Sequence, residues 1–203
     1  MTNDNVPNSF APLPIATADL LLRPLAFSDL DALFELYSDP DVMRGWGTVA
    51  HQTRKETEGL IELVEAQMKK GELIRWAIAE KEDPGTLCGD VGFWRFVRVR
   101  RRGELGAKLA KRYWQKGWMT QALSSVIHYG FEELNLHSVE GNIDPKNVGS
   151  RKLVEKIGFT KIGLVPEHSY DPFENRYLDM YLYSLTKTQW KGFDCQFLKN
   201  HPN

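Results

Sequence analysis

The hydrophobic rhythm of this chain changes period repeatedly between residues 74 and 165, and that alternation restricts the fold more than any other feature. In "IRWAIAEK" (74–81), in the stretch from Cys88 to about Arg100 and in "ELGAKLA" (104–110), apolar residues recur in the manner of half-buried strands. From Lys116 to Leu134 the step becomes three and four, with Met119, Ala122, Leu123, Val126, Ile127, Phe131 and Leu134 on one helical stripe. "HSVEGNI" (137–143) reads as a strand again. "DPKNVGSRKLVEKIGF" then predicts a helix with Asp144 as N-cap, Pro145 at its first position and Gly158 as a left-handed stop. Hairpin-linked strands that run into strand–helix–strand units require a mixed sheet with helices on both faces.

The remaining segments fill in that plan. "DLLLRPLA" (19–26) is a strand, followed by a helix over 28–40 with Ser28 as N-cap and Leu30, Leu33, Phe34 and Tyr37 as its apolar stripe. A second helix over 53–70 turns Leu60, Leu63, Val64 and Met68 inward and stops at Gly71. "DPG" (83–85) is the expected hairpin turn. In the following strand Val91, Phe93, Val97 and Val99 oppose Trp94, Phe96 and Arg98. "TKIGLV" (160–165) and "RYLDMYLYSL" (176–185) are the last two strands, separated by the polar loop "PEHSYDPFENRY". Residues 1–18 carry three prolines and neither periodicity, so they read as a flexible arm; residues 190–203 read as a tail. One domain over 19–189 is left between them.

Charge excludes some functions. The 26 Lys and Arg residues nearly cancel the 27 Asp and Glu, so no chain-wide field draws the protein to nucleic acid or to an anionic membrane. Two cysteines, Cys88 and Cys195, make neither a disulfide framework nor a zinc site, and the five histidines share no metal-ligand spacing. No metal is expected. The first residues lack a basic start followed by an apolar core, and no apolar run approaches about 20 residues, so a cytoplasmic setting is the expectation. The run "RVRRR" (98–102) reads as a solvated hairpin tip.

"QKGWMT" (115–120) lies where a strand hands over to a helix, and a helix start of this kind offers unpaired backbone N–H groups to an anion. Gly117 lets the backbone approach closely, and Thr120 adds a hydroxyl. Neither a Walker loop nor a dinucleotide fingerprint is present. "ELGAKLAKRYWQKGWMTQAL", followed by "NVGSRKLVEKIGF", resembles the two signature segments of the GNAT superfamily of acyl-CoA N-acyltransferases, in its ribosomal-protein-N-acetyltransferase-like branch. The likeness covers about residues 19–189. Trp114, Lys116, Gly117 and Thr120 match the pattern; Gln115 stands where glycine is common, Met119 where a small residue is, and Gln121 where glutamate is frequent.

That resemblance implies a GNAT-like mixed, mostly antiparallel seven-stranded sheet with a central splayed strand pair. It implies acetyl-CoA as cosubstrate, with the backbone of Gln115, Lys116, Gly117, Trp118, Met119 and Thr120 on the pyrophosphate and Asn147, Ser150 and Lys152 toward the pantetheine arm and nucleotide. The thioester would lie beside the Leu109 backbone, whose N–H would meet the oxyanion during direct transfer to a primary amine. Glu104 is the expected base, and Ser150 could donate a proton to the thiolate, because Val154 stands where many relatives carry tyrosine. Trp46, His168 and Tyr170 would face the acceptor, with Asp171 available to a proton relay. The implied partner is a small-molecule amine or a peptide N-terminus, with no specific nucleic acid, no membrane, and a monomeric or homodimeric state. A catalytically weak or inactive CoA-binding module is the alternative.

Overall fold

The computed structural model describes residues 9–44, 46, 48–172 and 174–198. In chain order the elements are β1 (Ile15–Ala16), β2 (Leu20–Pro24), α1 (Leu30–Ser38), α2 (Pro40–Arg44), α3 (Arg54–Lys69), β3 (Ile74–Glu80), β4 (Asp83–Val97) and β5 (Arg102–Leu109). There follow α4 (Trp118–Glu132), β6 (Ser138–Ile143), α5 (Val148–Ile157), β7 (Thr160–Asp171), β8 (Arg176–Thr186) and β9 (Gln196–Phe197). All strands join one sheet in the order β7-β8-β6-β5-β4-β3-β2-β1-β9. Every neighbouring pair is antiparallel except β5 and β6. That parallel pair is joined only from Arg102↔Ser138 to Glu104↔Glu140; the rest of β5, from Leu105 to Leu109, has no partner in β6. The expected splay is therefore present at the middle of the sheet.

Alternation along β3 divides the interior. Ile74, Trp76 and Ile78 enter a core shared with α4 and α5, whereas Ala77 enters a second core with Leu33, Leu36, Tyr37 and Ile61 of α1 and α3. The seven expected strands are all present, and the other two are the two-residue strands β1 and β9.

Those short strands correct the reading of the ends. Ile15 is fully buried and pairs with β2 and β9, Phe10 packs on Phe96 at 5.0 Å, and Phe197 and Trp190 lie on α4. Residues 9–18 and 190–198 thus belong to the packed domain, because single apolar residues spaced between prolines can anchor a segment that has no period of its own. The rest of the expected arm and tail, residues 1–8 and 199–203, lies outside the described residues.

Other boundaries move for local reasons. α1 starts at Leu30 because Asp29, not Ser28, ties the entry: its carboxylate accepts the Ala26 N–H at 2.9 Å and pairs with Arg23 at 2.6 Å. Leu36 joins the buried stripe, Leu30 and Phe34 are only half-buried, and Pro40 opens α2 instead of closing the helix before it. In α3, Thr53 caps and Ile61 and Val64 point inward; Leu63 is exposed. The hairpin turn falls at 81–82, with "DPG" inside an irregular start of β4 where Pro84 needs no ladder donor. α5 starts at Val148 under Asn147, while Asp144 makes a turn before it by accepting the Lys146 N–H at 2.7 Å. Gly158, at φ 116°, ends the helix as expected. The expected polar loop after 165 is a hairpin: β7 runs to Asp171 and β8 begins at Arg176, with Tyr170 opposite Tyr177. Its residues are polar because most of this ladder is exposed.

Candidate active site

A bulge in β4 organises the open face of the sheet. Phe93 pairs with Leu105 but Arg95 pairs with Glu104, so Trp94 is the extra residue. The shift turns Arg95 and Val97 onto the Glu104 face and sends Phe96 back to Phe93 at 5.6 Å, which overturns the expected pattern of Val97 with Phe93 against Phe96. Even-numbered positions of β5 and β6, Arg102, Glu104, Glu140 and Asn142, face the same way. With His168 of β7 they line a cavity of about 290 Å³ beside the splay.

Inside this cavity Asn142 Nδ2 donates to Glu104 at 3.0 Å, and Arg102 donates to Glu140 at 3.0 Å. Arg95 stands 3.9 Å from the second Glu104 oxygen. Asn142 Oδ1 is buried and has no hydrogen-bond partner among the described residues. The sequence offered no signal for Arg95, Glu140 or Asn142 except their register in strands; only the bulge and the pairing of β5 with β6 reveal that they meet Glu104.

Leu109 ends β5. The Ala110 N–H bonds to the Cys88 carbonyl at 2.9 Å, so alternation turns the Leu109 peptide groups away from β4 and toward the splay. Its carbonyl accepts the Trp114 indole N–H at 2.7 Å, which holds the following loop against the end of β5. Trp114 is otherwise exposed. In that loop Gln115 has φ 64° and Gly117 φ 80°. Gly117 is the N-cap of α4, no described side chain caps the helix there, and a Cβ on Gly117 would meet nothing within 4 Å. The first-turn N–H groups of Trp118, Met119 and Thr120 therefore have no side-chain cap at the positive end of a fifteen-residue helix, next to open space at Gly117.

The side chains of this segment serve mainly as packing. Trp118 is buried and stacks on Tyr113 at 5.1 Å, with the Lys116 ammonium 5.0 Å from the Trp118 ring. Met119 packs on the main core. Gln121 clamps the β1–β2 turn, donating to Asp19 at 2.6 Å and accepting from Thr17 at 2.8 Å. At α5, Asn147 accepts the Ser150 N–H at 3.0 Å as N-cap, Ser150 is half-buried in the first turn, Lys152 is exposed, and Val154 is buried.

The acceptor-side expectations divide. His168 joins the Glu104 cavity. Tyr170 instead donates its hydroxyl to Asn175 at 2.6 Å, and Asp171 accepts the Glu174 N–H at 3.3 Å, so the hairpin's own geometry uses groups expected in a relay. Trp46 lies against Trp94 at 5.0 Å, both indoles occupying the space above Gly106, and is half-buried rather than open. Beneath it lies a buried polar cluster that no motif or period in the chain signals. Lys108, 4 % exposed, donates to the Tyr37 hydroxyl at 3.2 Å and sits 3.5 Å from the Trp46 ring, next to the Arg75–Asp90 ion pair. Burial, reinforced by Arg75, holds the Lys108 ammonium well below the usual lysine pKa, and burial raises that of Tyr37. The ends of the basic run 98–102 are engaged, Arg98 donating to the Gly71 carbonyl and Arg102 to Glu140, while Val99 and Arg100 at the tip are exposed.

Among the described residues no helix is long and apolar enough to cross a membrane, and no cluster of three His, Cys, Asp or Glu is placed to hold a metal. Residues 19–160 match the family model of an acetyltransferase (GNAT) domain. The chain is 30% identical over 176 residues to an uncharacterized N-acetyltransferase p20 of Bacillus licheniformis, an alignment covering 87% of this chain and 97% of that one. It is 35% identical over 108 residues to the putative ribosomal N-acetyltransferase YdaF of Bacillus subtilis, covering 53% and 58%. The fold is shared with a spermidine N-acetyltransferase from Vibrio cholerae, solved with CoA and spermine, at a TM-score of 0.75 and 22% identity over 85% of this chain and 98% of that one.

Proposed function

The chain belongs to the GNAT acetyltransferases, on the side of the ribosomal-protein N-acetyltransferases, and from that premise we propose that it moves an acetyl group from acetyl-CoA directly to a primary amine seated against Glu104. The observation that carries this reading is the placement of Glu104, Asn142 and His168 in one cavity beside the splay, across the sheet from the α4 and α5 core.

The residues fit the cosubstrate. Open space at Gly117, a left-handed backbone there and the uncapped start of α4 make a cradle for a diphosphate made of main-chain donors. Side-chain changes at Gln115 and Met119 leave those donors intact, because Gln115 adopts the φ a glycine would and Met119 packs its side chain against the core. Acetyl-CoA supplies an acyl group activated as a thioester. Asn147, Ser150 and Lys152 would border its pantetheine and nucleotide portions from the start of α5.

Glu104 takes the proton from the acceptor nitrogen, directly or through water, and Asn142 Nδ2 fixes the carboxylate that does so. The Leu109 N–H, turned into the splay, donates to the carbonyl oxygen as charge grows on it; one such donor is worth about 2.7–4 kcal/mol. Ser150 supplies the proton for the departing thiolate. We place the reaction in the cytoplasm, where acetyl-CoA is made available to such enzymes.

A free-thiol assay with acetyl-CoA and a panel of amines and peptides tests the reading. Glu104→Gln should lower kcat by roughly 10²–10⁴-fold while acetyl-CoA affinity is retained. Tight CoA binding without turnover on any amine would replace this reading with that of a CoA-binding module.

A further inference from the structure

The Glu104 cavity is not isolated. Arg95 lines it and also lines a second cavity of about 460 Å³, bordered by Lys70, Glu72, Trp94 and Arg98. The first cavity presents the Glu104 and Glu140 carboxylates, both acceptors for an amine, beside Arg95, His168 and an Arg102 already engaged by Glu140. The second presents three basic side chains and one carboxylate. Between them Arg95, its side chain 77% exposed and 3.9 Å from Glu104, is held by a surface pair worth less than about 1 kcal/mol, so an incoming anion can recruit it.

This succession of charge selects among amines. A second ammonium of a polyamine would land among Lys70, Arg95 and Arg98, where like charges repel. An extended peptide rises about 3.3 Å per residue, and Arg95 borders both cavities, so the residues just after a terminal amine at Glu104 are the ones that would pass Arg95 toward the basic cavity. We propose that the acceptor is a peptide N-terminus with aspartate or glutamate at its second or third position; this rests on the acetyl-transfer reading above and narrows its substrate class. Glu104 accepts a hydrogen bond from the terminal amine, and Arg95 and Lys70 take the acidic side chain, with the Gly71-bound Arg98 adding positive charge nearby.

The test compares peptides of one length beginning Ser-Asp-Asp, Ser-Gln-Gln and Ser-Lys-Lys, together with spermine. Thiol release is measured at low and high salt, and binding is measured separately by anisotropy of the same peptides labelled at their C-termini, with CoA present. We expect kcat/KM for the acidic peptide to exceed that for the neutral one at least about tenfold, with the basic peptide and spermine lowest and the spread shrinking as salt rises. Lys70→Glu should shrink the ratio of acidic to neutral. Equal kcat/KM for acidic and neutral peptides, a preference for spermine, or a ratio unmoved by Lys70→Glu overturns the proposal. If no acceptor releases thiol, the binding arm decides: acidic preference in anisotropy keeps the assignment of the groove and removes only the catalytic reading, whereas equal or absent binding removes the groove assignment as well.

Discussion

Gln115 and Lys108 each carry a local cost, of different kinds. Gln115 holds φ 64° with a full side chain, a conformation that costs an ordinary residue about 1–2 kcal/mol. Part of that is offset in Gln115→Gly by the looser unfolded chain, so the substitution should stabilise the protein by about 0.5–1 kcal/mol in denaturant melts with CoA affinity preserved. Lys108 is a different kind of strain, a buried ammonium beside a guanidinium. Its folded pKa lies below its unfolded one, so the unfolded chain binds more protons between the two values and stability rises with pH across that window. Lys108→Met should therefore stabilise, on the order of 1–3 kcal/mol near neutrality, and the gain should vanish as pH approaches about 10.4. A gain independent of pH would show that the lysine is comfortably paired. Gln115 was legible in the sequence as a replaced glycine, but Lys108 was not: in "ELGAKLA" it occupies an outward position of an ordinary alternating strand, and the rings of Trp46, Trp94 and Tyr37, distant in sequence, cover it.

Strands and helices with a strong period were readable, and those whose logic is long-range were not. The stripe from Met119 to Phe131 and the stop at Gly158 needed no tertiary information. The bulge at Trp94 did, since alternation alone puts Val97 with Phe93 and hides Arg95 from Glu104. The segment after Val165 reads as a loop because its residues are mostly polar and exposed, and β1 and β9 leave no signal because two residues carry no period. Gly106 shows how tightly the bulge is built. A methyl group there would enter the volume filled by the Trp94 and Trp46 indoles, so Gly106→Ala should cost about 1–3 kcal/mol in thermal or denaturant unfolding. It should also raise the acceptor KM more than the acetyl-CoA KM, because the indole it displaces belongs to the strand that carries Arg95.

At the scale of the molecule, the fold class and the strand-to-helix handover at Gly117 were legible, whereas of the cavity beside the splay only Glu104 and His168 were singled out, without the residues between them. The whole sheet is held at its centre by a parallel ladder three residues long, Arg102 to Glu104 against Ser138 to Glu140. Mechanically it is two stiff plates, β7-β8-β6 and β5-β4-β3-β2-β1-β9, sharing a short seam. Such a seam can breathe while the wedge-shaped opening beyond it is filled only by solvent, and a molecule lodged there would act as a splint. Deuterium uptake at the Ala107 and Leu109 amides should be fast in the free protein and slowed markedly by CoA, with little change in the outer plates. Uniform slowing across all strands would mean that the two plates move as one body.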